Sequence, residues 1–265
     1  MLNAEARRFG GLAAHLWGDP RSRAVVLSHS ILTSSAMWRG QVDLLTRLGL
    51  FVVGVDTRGH GDSVVTRAPY SMSMLVNDVV TVLDALDIDR AHFVGLSLGG
   101  MIGLGLGIGH ADRLLSLVVC DARADSPDSF RAPWPERIEI ARYQGCAALA
   151  ASTVERWFGR EFIDTHPEEV RPIAEMIAST SVTGFVGCAQ ALMQLDYLEA
   201  VDVIDTPLTL IVGENDGALP AVMKDLHQRC AGSAFEVIPS AGHLPNVEQP
   251  NAFNAALSRH FGRLK

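Results

Sequence analysis

The stretch Gly95-Leu96-Ser97-Leu98-Gly99 constrains the fold of this chain more than any other. It follows an apolar run, Ala91-His92-Phe93-Val94, and precedes Gly100-Met101-Ile102-Gly103-Leu104, so it reads as strand, sharp turn, helix. A Gly-x-Ser-x-Gly turn in that setting is a nucleophile elbow. The serine there adopts a strained backbone that lifts its hydroxyl above the sheet edge. Side chains two residues away on either side would collide, and glycine removes them. The helix that starts at the serine aims its N-terminal amides and its dipole at the same point.

The rest of the chain supplies a sheet for that turn to stand on. Short apolar, β-branched runs at Ala24–Ser28, Leu50–Val55, Ala91–Gly95, Ser116–Cys120, Leu208–Val212 and Phe235–Ile238 read as strands. Several are apolar on both faces, as in a parallel sheet covered by helices on each side. An earlier strand near Leu12–Trp17 is expected at one edge. Helix-period sequence lies between the strands. Leu75, Val79, Val82, Leu83 and Leu86 form one stripe, which Ser71 or Ser73 can cap, and a last helix is expected from Val247 to Phe261. The alternation implies a doubly wound α/β sheet. Residues 122–200 break the rhythm, with loop-like proline and aspartate clusters followed by helical stretches and no convincing strand. The expectation is a core of residues 1–121 and 201–265 with a helical cap, 122–200, over the carboxyl ends of the strands, where ligands bind in open α/β folds.

Composition narrows the function. The 265 residues carry a net charge of −8, without the basic footprint that nucleic-acid binding needs. The opening residues show no apolar run behind a basic flank, and the most apolar window, Leu98–Gly109, is too short to span a bilayer. The four cysteines lie far apart, as buried free thiols of a cytoplasmic protein do, and no metal-binding spacing of histidines appears. A cytoplasmic protein acting on a small molecule without metal or cofactor is expected; the oligomeric state is not legible.

A serine hydroxyl is a weak nucleophile and needs a base. His243, in Ala241-Gly242-His243-Leu244-Pro245, follows the last expected strand and can reach back over the sheet edge. The base needs a carboxylate to fix its tautomer. Asp216, in the loop after Leu208–Val212, completes the chain order Ser…Asp…His, with Asp121 as a rival and Glu214 as a third choice. The developing oxyanion needs two backbone donors: the amide of Leu98 and, from the loop Ser28-His29-Ser30-Ile31-Leu32-Thr33, the amide of Ile31, with the Ser30 hydroxyl able to assist. His60, in a turn-rich segment from Asp56 to Ser63, reads as structural. The glycines at 103, 105 and 107 lie inside a helix and so read as helix packing, not as a dinucleotide fingerprint.

Together these residues resemble the α/β-hydrolase superfamily over essentially the whole chain. Within it, the set His29-Ser30-Ile31-Leu32-Thr33, Asp56-Thr57-Arg58-Gly59-His60-Gly61, Gly95-Leu96-Ser97-Leu98-Gly99-Gly100, Arg156-Trp157-Phe158 and Gly242-His243-Leu244-Pro245-Asn246-Val247-Glu248-Gln249-Pro250 is similar to the 3-oxoadipate enol-lactonases of aromatic-acid breakdown. The resemblance implies the α/β-hydrolase fold, a mostly parallel eight-stranded sheet flanked by helices with an inserted cap. It also implies triad roles for Ser97, Asp216 and His243, and it brings Trp134, Arg137 and Trp157 near the substrate. The family often has Asn-Ser-Leu-Gly where this chain has His29-Ser30-Ile31-Leu32, and the cap matches loosely. The expected reaction is hydrolysis of a small lactone or carboxylic ester through an acyl-enzyme. A general carboxylesterase, a carbon–carbon bond hydrolase, a cofactor-free oxygenase and a ligand receptor on the same fold stand as alternatives.

Overall fold

The computed structural model describes residues 4–264. Eight strands form one sheet: β1 (Glu5–Phe9), β2 (Leu12–Trp17), β3 (Ala24–Ser28), β4 (Phe51–Val55), β5 (Ala91–Leu96), β6 (Leu114–Cys120), β7 (Leu208–Gly213) and β8 (Ala234–Ile238). Their order is β1-β2-β4-β3-β5-β6-β7-β8. The first two strands run antiparallel to their neighbours, and all other pairings are parallel. Every residue of β3, β4, β5 and β7 is buried, because helices cover both faces. Leu12–Trp17 is not the edge strand expected for it. Outside it lies β1, Glu-Ala-Arg-Arg-Phe, whose mostly exposed side chains show no apolar alternation and which is held by ladder pairing to β2.

Helices α1 (Arg39–Arg47), α2 (Met72–Ala85) and α3 (Leu98–Gly109) connect the central strands. The Ser71 hydroxyl caps α2 by accepting the Met74 amide. Between β6 and β7 come α4 (Asp128–Arg131), α5 (Trp134–Gln144), α6 (Ala150–Thr165), α7 (Pro167–Ser179) and α8 (Val182–Met193). The two ends of this helical excursion are joined by a β-bridge, Asp125 to Asp196, and by the Tyr197 amide on the Ala124 carbonyl at 2.7 Å. After β7 comes α9 (Leu219–Arg229), and after β8 come α10 (Pro245–Glu248) and α11 (Pro250–Gly262). The single C-terminal helix expected over 247–261 is thus two. Gln249, at φ −131° and ψ 61°, leaves the helical region because Pro250 crowds the residue before it. Among the described residues no single helix is long and apolar enough to cross a membrane.

The strand order reverses between β3 and β5, whose successors lie on opposite sides of them. Such a switch point opens a crevice at the carboxyl ends of the strands. Because β3 and β5 to β8 are parallel, the segments that follow them all emerge on that one rim: His29–Thr33, Ser97, Asp121, Asn215–Asp216 and Ser240–His243.

Candidate active site

Ser97 stands between β5 and α3 at φ 56° and ψ −114°, a conformation that non-glycine residues rarely adopt. Close packing explains the flanking glycines. A Cβ on Gly95 would lie 2.1 Å from the Gly99 carbonyl oxygen, and one on Gly99 would lie 2.2 Å from the Ser28 carbonyl oxygen. The turn is pinned by the Ser97 amide on the Cys120 carbonyl (2.8 Å) and the Gly99 amide on the His29 carbonyl (3.1 Å). These contacts bring the β3 loop against the start of α3. The amides of Ile31 and Leu98 donate to no protein acceptor among the described residues, and the Ser30 hydroxyl is buried without a partner. Ser97 itself is 7% exposed, and its hydroxyl hydrogen-bonds to no protein group among the described residues, His243 included.

His243 and Asp216 meet directly, with Nδ1 2.7 Å from Oδ2. This leaves a proton on Nδ1 and makes Nε2 the free acceptor. The two loops are zipped together by backbone bonds from Glu214 to Ile238 (2.9 Å) and from Asn215 to Ala241 (2.8 Å). The carboxylate of Glu214 turns away to accept the Ser240 amide. Next to His243 in the chain, the Gly242 amide donates to Glu248 Oε2 at 2.5 Å. Burial, offset in part by that amide and reinforced by Asp216, pushes the Glu248 carboxyl up to about 7. Trp157 of α6 completes the cradle. Its carbonyl accepts the His243 amide at 2.8 Å, and its ring stacks on the imidazole with centroids 5.6 Å apart. The Gly242–Pro250 motif contains Glu248, and the resemblance brings Trp157 near the substrate, but no local signal showed that the Glu248 carboxylate and the Trp157 carbonyl hold the histidine loop.

The rival carboxyl, Asp121, is wholly buried at the end of β6 and does not contact the imidazole among the described residues. Its Oδ1 accepts the Gly213 amide at 2.8 Å. His60 is buried beside His29, and burial, with His29 adding, pushes its pKa down to about 3. His29 Nε2 accepts the Thr57 amide at 2.9 Å, so this histidine pair ties the Asp56–Ser63 turn to the β3 loop. His15, Asp56 and Asp62 also cluster, but the Asp56 oxygens are taken by the amides of Ser35 and Asp62, and the trio fastens the same turn.

The helical excursion adds a second group of expected residues. Trp134 is buried, and the Arg137 guanidinium lies 4.8 Å over its ring and 5.8 Å from the Phe185 centroid. Arg137 donates to Thr153 Oγ1 at 3.2 Å and has no carboxylate at ion-pair distance among the described residues. Burial, then the charge of Arg156, push its pKa down. An incompletely solvated guanidinium without a counter-ion favours an anion brought from outside.

Comparison with known proteins follows the same lines. A family profile for the alpha/beta hydrolase fold matches residues 23–250. Two curated relatives from Acinetobacter baylyi are 3-oxoadipate enol-lactonases. One is 35% identical over 245 residues, which is 91% of this chain and 90% of the relative. The other is 33% identical over 242 residues, 91% and 89%. Among solved structures, the enol-lactonase from Burkholderia xenovorans superposes with a TM-score of 0.90 at 31% identity, over 97% of this chain and 100% of the other.

Proposed function

The chain belongs to the alpha/beta hydrolase fold family, and from that premise we propose that it hydrolyses a small lactone or ester bearing a free carboxylate, most like 3-oxoadipate enol-lactone, through an acyl-enzyme on Ser97. The observation that carries this reading is the 2.7 Å Asp216–His243 pair on the rim that also bears the strained serine elbow. Asp216 holds the imidazole with Nε2 free. Substrate arrival brings Ser97 Oγ under that nitrogen, which takes the hydroxyl proton as Oγ attacks the carbonyl carbon. The unengaged amides of Ile31 and Leu98 receive the oxyanion, with the Ser30 hydroxyl as a third donor. His243 then protonates the leaving oxygen and activates the water that releases the acyl group.

Residues 122–200 act in this reading as a cap. Trp157 from the cap both stacks on His243 and fixes its backbone, so cap placement and base placement are one event. Trp134 and Arg137 bind the substrate, with the guanidinium paired to its carboxylate; the unpartnered charge of Arg137 and the kinship with enol-lactonases support that choice. In a lactone the leaving oxygen stays tethered to the acyl group, so a cap that holds the freed arm on Arg137 also keeps it from closing again. The test is side-by-side turnover of an enol-lactone with a carboxymethyl arm and a neutral p-nitrophenyl ester, by wild type and Ser97→Ala. The expected result is a kcat/KM at least about tenfold higher on the lactone, and loss of both activities in the variant. Equal or better turnover of the neutral ester would replace the lactonase reading with a general carboxylesterase. A Ser97→Ala enzyme within a few-fold of wild type would end the acyl-enzyme mechanism.

A further inference from the structure

Three carboxyl groups crowd behind one imidazole: Asp216, Asp121 and Glu248. Glu248 is engaged by the Gly242 amide, and Asp216 by His243. Asp121 is the odd one. It is 0% exposed, its Oδ1 takes the Gly213 amide, and its Oδ2 is buried with no donor among the described residues. The groups facing it are Asp216 from the β7–α9 loop, Glu248 from α10 and the thiol of Cys120, and among the described residues no cation pairs with it. An ionised carboxylate in that position would be a buried charge beside another of the same sign, with one oxygen unsatisfied. Asp121 and Asp216 are anchored on the same residue: the Gly213 amide donates to Asp121 Oδ1 at 2.8 Å, and the Gly213 carbonyl accepts the Asp216 amide at 3.2 Å. Two neighbouring carboxylates cannot share a hydrogen bond, whereas a carboxylic acid and a carboxylate can.

We infer that Asp121 is a neutral acid that donates its proton to Asp216, fixing the orientation of the carboxylate that holds His243. This rests on the triad reading above and adds a positioning residue to it. One contact then removes both difficulties: the orphaned oxygen gains a partner, and only one negative charge remains on the pair. Burial and the neighbouring Asp216 charge push the Asp121 pKa well up, in keeping with a retained proton. The backbone explains why a short polar side chain stands here. Asp121 sits at φ 45°, in the left-handed region that aspartate and asparagine tolerate better than other side chains.

The decisive variant is Asp121→Asn. Its carbonyl can take the Gly213 amide and its NH2 can donate to Asp216, with no change of charge if Asp121 is already neutral. The expected result is wild-type-like kcat, with the acid limb of the kcat/KM pH profile moved by less than about half a unit. If Asp121 is ionised, the variant deletes a negative charge near the imidazolium and the limb moves down by about one unit or more, which overturns the inference. Asp121→Ala lacks the donor, and kcat is expected to fall about tenfold or more with KM nearly constant, a loss that Asn restores. Wild-type kcat in a folded Ala variant would also overturn the inference, and if that variant fails to fold, the Asn profile still decides. Asp216→Asn, measured alongside, separates the two levels. Wild-type turnover there sinks the triad reading itself, whereas an inactive Asp216→Asn together with a shifted Asp121→Asn limb refutes only the neutrality of Asp121.

Discussion

Replacing Arg137 with methionine separates substrate recognition from folding. The guanidinium lies over Trp134 at 4.8 Å, donates to Thr153 at 3.2 Å and has no acidic partner among the described residues. Methionine conserves most of the apolar stem and its packing on the two rings. The lost cation–π contact is worth about 0.5–2 kcal/mol, and relief from burying an unpaired charge opposes it. Folding stability is therefore expected to change by less than about 1 kcal/mol, a shift in melting temperature of roughly 2–4 °C at most. Binding tells a different story. A hydrogen bond between charged partners contributes about 1.5–3 kcal/mol, so a carboxylate-bearing lactone should lose roughly 10- to 150-fold in kcat/KM. A neutral p-nitrophenyl ester of similar size has no carboxylate to lose and should stay within about threefold. The assay is kcat/KM on both substrates for both proteins, beside thermal melts. A parallel fall on both substrates would refute the reasoning by showing that Arg137 organises the helices of residues 122–200, and no fall on either would show that the substrate carboxylate goes elsewhere.

Two further predictions concern pH. Glu248 folds with its carboxyl raised from 4.5 to about 7, so the native state holds a proton that the unfolded chain has released, and stability falls as pH rises from about 4.5 to about 7. Glu248→Gln still accepts the Gly242 amide but cannot ionise; its melting temperature should vary less across that window than that of wild type, and an unchanged slope would contradict the assignment. At the opposite end of the sheet, His92 Nδ1 (2.7 Å) and His260 Nε2 (2.8 Å) share the Ser116 hydroxyl, and His260 Nδ1 bonds Thr209 Oγ1 (2.7 Å). Burial above all pushes these imidazoles down to about 4 and about 3, so they fold neutral, and the stability present above pH 6.5 is lost as pH falls through those values. His260→Gln should flatten the acid side of the melting curve, and a slope matching wild type there would show that this ring does not carry the loss.

The parts of the molecule that were legible as sequence are those with a local physical signature. Strands β3, β5, β6 and β7 announce themselves as short apolar runs because both faces of a parallel sheet are covered. The elbow is visible because close backbone approach at Gly95 and Gly99 tolerates no side chain. Strand β1 escaped notice because its residues are exposed and it exists by pairing with β2. The break at Gln249 was written in Pro250, but the surrounding helical period masked it.

What the sequence determined by itself is an alternating α/β chain with a serine turn and with candidate acids and bases placed after successive strands. Strand direction made that order meaningful, since parallel strands deliver their following loops to one rim. Tertiary structure decided which carboxyl touches the histidine. Asp121 and Asp216 both follow strands, but only Asp216 reaches Nδ1, while Asp121 is sealed behind it. It also set Trp157, 86 positions before His243, against the imidazole, and left Arg137 without a counter-ion among the described residues. Such contacts depend on distance through space and on who else is near, and neither periodicity nor spacing along a chain encodes them.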